Sequence, residues 1–465
     1  MQITKALKVC DIIELRLDCF ANCDLESIRK IKSSFTIPMI FTLPKQTKDT
    51  RAKILELCSV RPEYLDIEDQ VPESFLEEVS KLYPEIKIIL SHHDFEKTPD
   101  NIDEIVANMK RFRATFYKIA FYANNSIDMV RFLLHAKNFP NDVISISMGP
   151  FGAPSRIMAP CVKSPITYSC IDETLQTAPG QLTSSELIHT YHHRILNKKT
   201  QLFGLIGDPV TSSISHITHN HVFQSVHKDA VYTKIRVNAN ELFDFLQYAK
   251  HLIRGLSVTM PLKEAVVPYI DYIDSSAKKI GAVNTLLFDS GKIFGFNTDG
   301  IGALNALKKT TSVEGKKVVV LGAGGAAKAI IFEACRRKGN VTILNRDKTK
   351  AQEVAKAFDC QGFGLDHMPI CFDDGYDILI NCTSIQMPID PKFLLSHAVI
   401  MDIKTKPAQT EFLQIARTKG CQIVYGYEMF IEQALWQYAI WFNDDIDLKK
   451  ARECLLYKCQ KELYI

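Results

Sequence analysis

The sequence predicts an α/β protein of more than one domain, with a barrel-like N-terminal part followed by two further α/β units. Three observations carry this expectation. A chain of 465 residues is too long for one ordinary core. From Ile12 to about Cys170, short apolar runs alternate with amphipathic stretches, the pattern of a parallel sheet with helical crossovers. From Lys317 onward a strand, a glycine turn, a helix and a second strand follow one another, as in a βαβ unit.

The N-terminal runs are IIELRL, PMIFT, EYLDIE, IKIILS, FYKIA, VISIS and PITYSC. Polar groups cluster at or near their C-terminal ends: Glu14, Arg16 and Asp18, then Glu68, His92 and His93, then Lys118. In a β/α barrel that end gathers the reactive groups. Seven runs are one short of the usual eight strands. A helix is expected over SSELIHTYHHRILNK, and the polar stretch 197–201 reads as a linker. The second unit then opens with FGLIGDPV, a helix from about Ser215 and the strand GLSVTM. The third consists of KVVVLG, a glycine turn, a helix through Arg337 and NVTILNR.

Composition narrows the function classes. Hydrophobic residues make up 46% and charged residues 23%, the balance of a globular enzyme. A net charge of +3 gives no basic footprint for nucleic acid or an acidic membrane. No apolar run approaches a membrane span, and the start lacks a signal peptide's apolar centre. Thirteen cysteines without a paired framework suit a reducing cytosol, so the expected location is cytoplasmic.

The glycine turn is the sharpest local signal. Gly322-Ala323-Gly324-Gly325-Ala326-Ala327 fits G-x-G-x-x-A between a strand and a helix. Gly322 allows the tight turn, Gly324 admits a diphosphate to the backbone, and Ala327 keeps the helix close to the sheet. The next strand ends in Asn345-Arg346 where an acidic residue would hold a free ribose 2′-hydroxyl. Arg346 and Lys350 can instead hold a 2′-phosphate, which favours NADP.

With these residues in view, the stretch from Leu202 to Phe442 resembles shikimate dehydrogenase. The matching strings are Gly207-Asp208-Pro209-Val210-Thr211-Ser212-Ser213-Ile214-Ser215 with His219-Asn220, then Ser257 to Lys263, then Gly281 to Thr285, then Asn297-Thr298-Asp299-Gly300. The resemblance implies NADPH-dependent reduction of 3-dehydroshikimate to shikimate. It assigns Ser213 and Ser215 to the substrate carboxylate, Lys263 and Asp299 to the catalytic pair, and Thr259, Asn284 and Gln433 to the substrate hydroxyls. Asn381-Cys382-Thr383-Ser384 and Gly426 to Gln433 match its nicotinamide-side segments, so Thr383, Ser384, Ile403 and Gly426 join the cofactor contacts. Two departures stand out: His216 where the family has Pro, and Thr405 where it has Tyr on the cofactor side.

The segment from about residue 8 to Gln181 resembles type I 3-dehydroquinate dehydratase. It carries Glu14-Leu-Arg16-Leu-Asp18, Asp66-Ile-Glu68, Ser91-His92-His93-Asp94-Phe95, Lys118-Ile-Ala120, Ser155-Arg156 and Ala178-Pro179-Gly180-Gln181. The resemblance makes Lys118 the Schiff-base lysine, His93 the proton shuttle and Glu68 its orienting partner. Arg156 becomes the carboxylate clamp, with Glu14, Arg16, Thr177 and Gln181 around the ring. Burial at the end of FYKIA is expected to lower the pKa of Lys118. The family's first strand would precede Met1. Pro44 stands where the family has Arg, and its Glu-Gly-Gly is missing from 45–50.

Both halves in this order resemble the fused 3-dehydroquinate dehydratase/shikimate dehydrogenase. The expected domains are a dehydratase-like barrel over 1–196 lacking its first strand, a substrate domain over 201–302 completed by 426–465, and a Rossmann NADP domain over 303–425. Two rival readings are a degenerate barrel acting as a scaffold and a quinate dehydrogenase; retention of both Ser213 and Ser215 favours shikimate. His216, His219 and His221 do not form a metal site, because His221 points away from the helical face of the other two.

Overall fold

The computed structural model describes residues 2–17, 24–43 and 50–464. Asp18, Pro44 and 45–49, all named above, lie outside the described residues. The chain divides into compact units over 1–200 and 201–465, at the polar stretch expected to be a linker.

The first unit holds six parallel strands in sequential order: β1 (Ile13–Arg16), β2 (Met39–Thr42), β3 (Tyr64–Glu68), β4 (Lys87–Asp94), β5 (Phe116–Tyr122) and β6 (Val143–Met148). Helices join successive strands, for example Ser126–Ala136, whose start is capped by Asn125 accepting from the Asp128 N–H. Sequential parallel order with helical crossovers is the arrangement of a β/α barrel wall. The seventh expected strand is not one. Pro165 opens that run without an N–H, and only Cys170 forms a bridge, to Thr183. Ile166 and Tyr168 pack instead on the interior cluster of Ile40, Ile89, Ala120, Ile144, Ile146 and Met148. The expected helix after Gly180 is also shorter, Ser184–His189. His192, at φ +50°, separates it from a single turn over His193–Ile195.

The second unit has two sheets. One runs β10 (Tyr272–Ile273), β12 (Lys292–Phe296), β11 (Thr285–Asp289), β9 (Gly255–Val258), β7 (Gln201–Gly207), β8 (Ala230–Arg236), with β11 antiparallel to both neighbours. The other is wholly parallel: β15 (Gln361–Gly364), β14 (Asn340–Asn345), β13 (Lys317–Leu321), β16 (Ile378–Asn381), β17 (Val399–Asp402), β18 (Gln422–Val424). This is the doubly wound order whose strand direction of growth reverses between β13 and β16. The helix Gly426–Phe442 then returns to the first sheet. Its Phe430, Tyr438 and Trp441 join Phe203, Phe223 and Tyr232 in one core, and the Trp441 indole donates to Leu286 O at 3.0 Å.

Candidate functional sites

In the first unit, strand register builds the site. Arg16 pairs with Thr42 and Thr42 with Asp66; Glu68 pairs with Ser91 and Ser91 with Lys118. Side chains alternate along a strand, so Glu14, Arg16, Thr42, Asp66, Glu68, Ser91, His93 and Lys118 share one face. The Lys118 ammonium lies 2.5 Å from Asp66 Oδ2. Ser91 Oγ donates to the other Asp66 oxygen. His93 Nδ1 is 2.8 Å from Glu68 Oε1, and its ring stacks on Phe95. The Thr42 hydroxyl donates to Glu14 at 2.7 Å, and burial raises the Glu14 carboxyl above its ordinary value.

The expected direction for Lys118 is reversed. Burial does act to lower it, but the carboxylates around it, Asp66 first and then Glu14 and Glu68, outweigh burial, and the ammonium is held above the usual lysine value. An apolar strand reveals the burial; only pairing across strands reveals the carboxylates.

Arg156 is also buried, at 3% exposure, and burial lowers it to about 10. It donates to Ser147 O at 3.2 Å. Thr177 and Gln181 bind each other, the Thr177 N–H donating to Gln181 Oε1 at 2.8 Å. Their loop docks on the Gly149 turn, whose N–H donates to Pro179 O. Asp66, Ser91, Thr42 and Tyr168 carried no assigned role in the sequence. The alternation of Asp66 with Glu68 was the available signal for the first.

In the second unit, a cleft of about 340 Å³ is lined by Ser213, Ser215, Thr259, Lys263, Asn284 and Gln433, all expected from sequence. Lys263 Nζ sits 2.5 Å from Asp299 Oδ2, and Asp299 is 1% exposed. Asp299 opens the helix Asp299–Lys308, where the N-terminal dipole favours a carboxylate. Its other oxygen accepts from the Asn284 amide at 2.9 Å, and the same amide donates to Gln433 Oε1 at 3.3 Å. Asn284 is itself held by Thr285 and by the Thr298 N–H. Ser213 Oγ donates to Ser215 Oγ at 2.9 Å.

His219 lines the same cleft inside an aromatic cage, stacked on Phe430 and 2.9 Å from the Tyr438 hydroxyl. Burial pushes it, like His216, down to about 3, so both rings are neutral. His221 packs on Tyr457 instead. Thr405, expected on the cofactor side, forms part of the wall of the same cleft together with Lys404 and Lys406. Gln437 was missed too: it accepts from Ser257 at 3.1 Å and donates to Thr285 at 3.0 Å.

The glycine turn lies at the reversal point of the parallel sheet. Gly322 adopts φ +109°, and a Cβ there would press on Thr383 at 3.3 Å. A Cβ on Gly324 would meet nothing within 4 Å, so the turn presents open backbone ahead of the helix Gly325–Arg336. Ala323 and Ala327 are buried against the sheet. A Cβ on Gly325 would meet that of Lys263 at 3.2 Å, which sets the turn against the Lys263–Asp299 pair. The Asp347 carboxylate caps the next helix by accepting from the Lys350 N–H, and the Asn345 amide donates to Asp347 O. Arg346 is exposed beside them. Ile403 bonds back to Asn381 O at 3.1 Å, bringing the Thr383, Ser384 and Ile403 segments together.

Comparison with known proteins agrees with this geometry. Residues 1–198 match the type I 3-dehydroquinase family, 205–286 the shikimate dehydrogenase substrate binding domain, and 305–412 the shikimate/quinate 5-dehydrogenase family. The shikimate biosynthesis protein AroDE of Chlamydia pneumoniae is 36% identical over 448 residues, covering 95% of this chain and 92% of that protein. The chain belongs to the bifunctional 3-dehydroquinate dehydratase/shikimate dehydrogenase family. It carries a type I dehydroquinase and a shikimate dehydrogenase in series. Another relative, the chloroplastic bifunctional 3-dehydroquinate dehydratase/shikimate dehydrogenase of Arabidopsis thaliana, is 32% identical over 92% of this chain and 77% of its own length. Among solved structures, shikimate 5-dehydrogenase from Thermus thermophilus, in complex with NADP(H) and shikimate, superposes with a TM-score of 0.51. It is 28% identical, and the match covers 56% of this chain and 99% of that one.

Proposed function

We propose that the two units catalyse consecutive steps, dehydration of 3-dehydroquinate and then NADPH-dependent reduction of 3-dehydroshikimate, with the residues described above as the machinery. The observation that supports this best is the pair of lysine–aspartate contacts, Lys118–Asp66 and Lys263–Asp299, each at the centre of its own polar cluster. In the barrel, Lys118 forms a Schiff base with the substrate ketone, and the cationic nitrogen acidifies the neighbouring carbon. His93, oriented by Glu68, moves the proton from that carbon toward the departing hydroxyl. Arg156 faces the carboxylate, while Glu14, Arg16, Thr177 and Gln181 surround the ring.

In the dehydrogenase, the Ser213 and Ser215 hydroxyls hold the carboxylate, and Thr259, Asn284 and Gln433 hold the ring hydroxyls. NADPH, when bound at the glycine turn, would supply the hydride. Lys263 gives the proton to the oxygen, and Asp299 keeps its ammonium aimed. The residues fit NADP. The open backbone at Gly324, ahead of the helix Gly325–Arg336, suits the diphosphate, and Arg346 and Lys350 suit the 2′-phosphate. Asp347 lies beyond the strand end and caps the next helix through the Lys350 N–H.

The working domain limits are 1–196, 201–302 with 426–465, and 303–425. A cytoplasmic location fits the free thiols and the finding that no helix among the described residues is long and apolar enough to cross a membrane. The test is NADPH oxidation with 3-dehydroshikimate. It should proceed with the native chain, collapse in Lys263→Ala and persist in Lys118→Ala; activity retained in Lys263→Ala would remove the assignment.

A further inference from the structure

We infer that Asp66 is a catalytic group of the dehydration, accepting a proton from Lys118 and then standing as the counter-charge to the iminium. This rests on the reading of Lys118 as the Schiff-base lysine. An ammonium cannot attack a ketone, and here the lysine begins as one: Lys118 is 4% exposed and Asp66 is 4% exposed, with 2.5 Å between Nζ and Oδ2. The proton must therefore leave before the carbon–nitrogen bond forms, inside a pocket shielded from bulk water.

The groups facing Lys118 come from several elements of the unit. Glu14 lies on β1, Asp66 and Glu68 on β3, His93 on β4, and the Tyr168 ring, 5.1 Å from Nζ, covers it from the 165–170 segment. Glu14 is engaged by the Thr42 hydroxyl, and Glu68 lies against His93. Burial keeps the Tyr168 phenol neutral. Asp66 is the carboxylate with an oxygen directly on Nζ, and Ser91, opposite Lys118 in the ladder, pins the other oxygen so that the first stays aimed. The same sites of contact serve after the bond has formed, because a buried cation without a counter-charge is costly.

The step balances as Lys–NH3⁺ plus O=C giving Lys–NH⁺=C plus H2O. Asp66 takes one proton from the ammonium, and the freed lone pair attacks the ketone carbon as the carbonyl π bond opens onto oxygen. Two nitrogen protons then leave with that oxygen as water, one of them by way of Asp66. Asp66 is again a carboxylate and faces the new iminium.

The experiment is borohydride trapping with 3-dehydroquinate on the full chain, read as the mass gained on Lys118, together with steady-state dehydration across pH. The native chain gains the adduct; if it does not, the Schiff-base reading itself falls and this inference with it. With Asp66→Asn, the adduct at saturating substrate should fall at least about tenfold and kcat about 100-fold, with KM moving less than about threefold. Asp66→Glu should recover part of the rate. Ser91→Ala, which leaves the ion pair in place, should lose roughly 3- to 10-fold in kcat and serves if Asp66→Asn does not fold. If Asp66 only held Lys118 charged, Asp66→Asn would trap at least as fast as the native chain, with its rate profile moved to lower pH. That result, or native kinetics in Ser91→Ala when Asp66→Asn cannot be made, would overturn the proposal.

Discussion

The two units each set a lysine against an aspartate at 2.5 Å, yet they ask opposite things of it. On the proposed mechanism Lys118 sheds its proton and becomes a nucleophile, whereas Lys263 delivers one. The surroundings differ accordingly. Lys118 is sealed beneath Tyr168 among Glu14, Asp66 and Glu68. Among the described residues Lys263 has a single carboxylate partner, whose second oxygen is taken by the Asn284 amide, and its side chain is 19% exposed to the cleft. One contact distance therefore says little about a lysine's task. The number of carboxylates around it and its access to the cleft say more.

Substitutions can break this comparison in order of effect. Lys118→Ala removes the nucleophile, so dehydration should fall by at least about 1000-fold while the dehydrogenase rate stays native. Lys263→Ala removes a general acid, and reduction should fall roughly 100- to 10000-fold with little change in the dehydratase. Loss in both reactions from either variant would mean that the two lysines do not act in separate sites. Ser213→Ala deletes one hydroxyl donor to the carboxylate and should reduce kcat/KM for 3-dehydroshikimate about tenfold, mostly through KM. Arg346→Ala should narrow the preference for NADPH over NADH by roughly tenfold, measured as the ratio of the two kcat/KM values.

The smallest effect concerns stability. Burial would raise the Glu333 carboxyl, but Arg336 and Arg337 bond to it and hold it below the ordinary glutamate value. A lowered carboxyl contributes stability above its unfolded pKa and loses it as pH falls through the folded one. Glu333→Gln should thus lower the thermal transition of the second unit by about 2–4 °C at pH 7, and the gap should close as pH falls below the usual carboxylate range. A gap that stays constant with pH would assign the effect to packing.

Much of this was legible in the residues. The glycine turn, the six barrel strands and the cleft residues from Ser213 to Gln433 stand where periodicity, spacing and resemblance placed them. What escaped depends on neighbours distant in sequence. PITYSC has the composition of a strand, but its proline start and the packing of Ile166 and Tyr168 on the interior take it out of the ladder. Burial of Lys118 could be foreseen from FYKIA, but the sign of its shift could not, since Glu14 and Asp66 reach it only through strand pairing. Thr405 was legible as a departure from its family and illegible in place, because the turn after β17 carries it to the cleft lined by Ser213, Lys263 and Gln433.

The central claim is that both units work, in series, on one chain. Its most direct test supplies purified protein with 3-dehydroquinate and NADPH and follows NADPH loss, with 3-dehydroshikimate as the parallel substrate. Oxidation with both substrates, abolished by Lys118→Ala only when 3-dehydroquinate is supplied, is the predicted result. Oxidation with 3-dehydroshikimate alone would contradict the account and leave the barrel as a scaffold beside a working dehydrogenase.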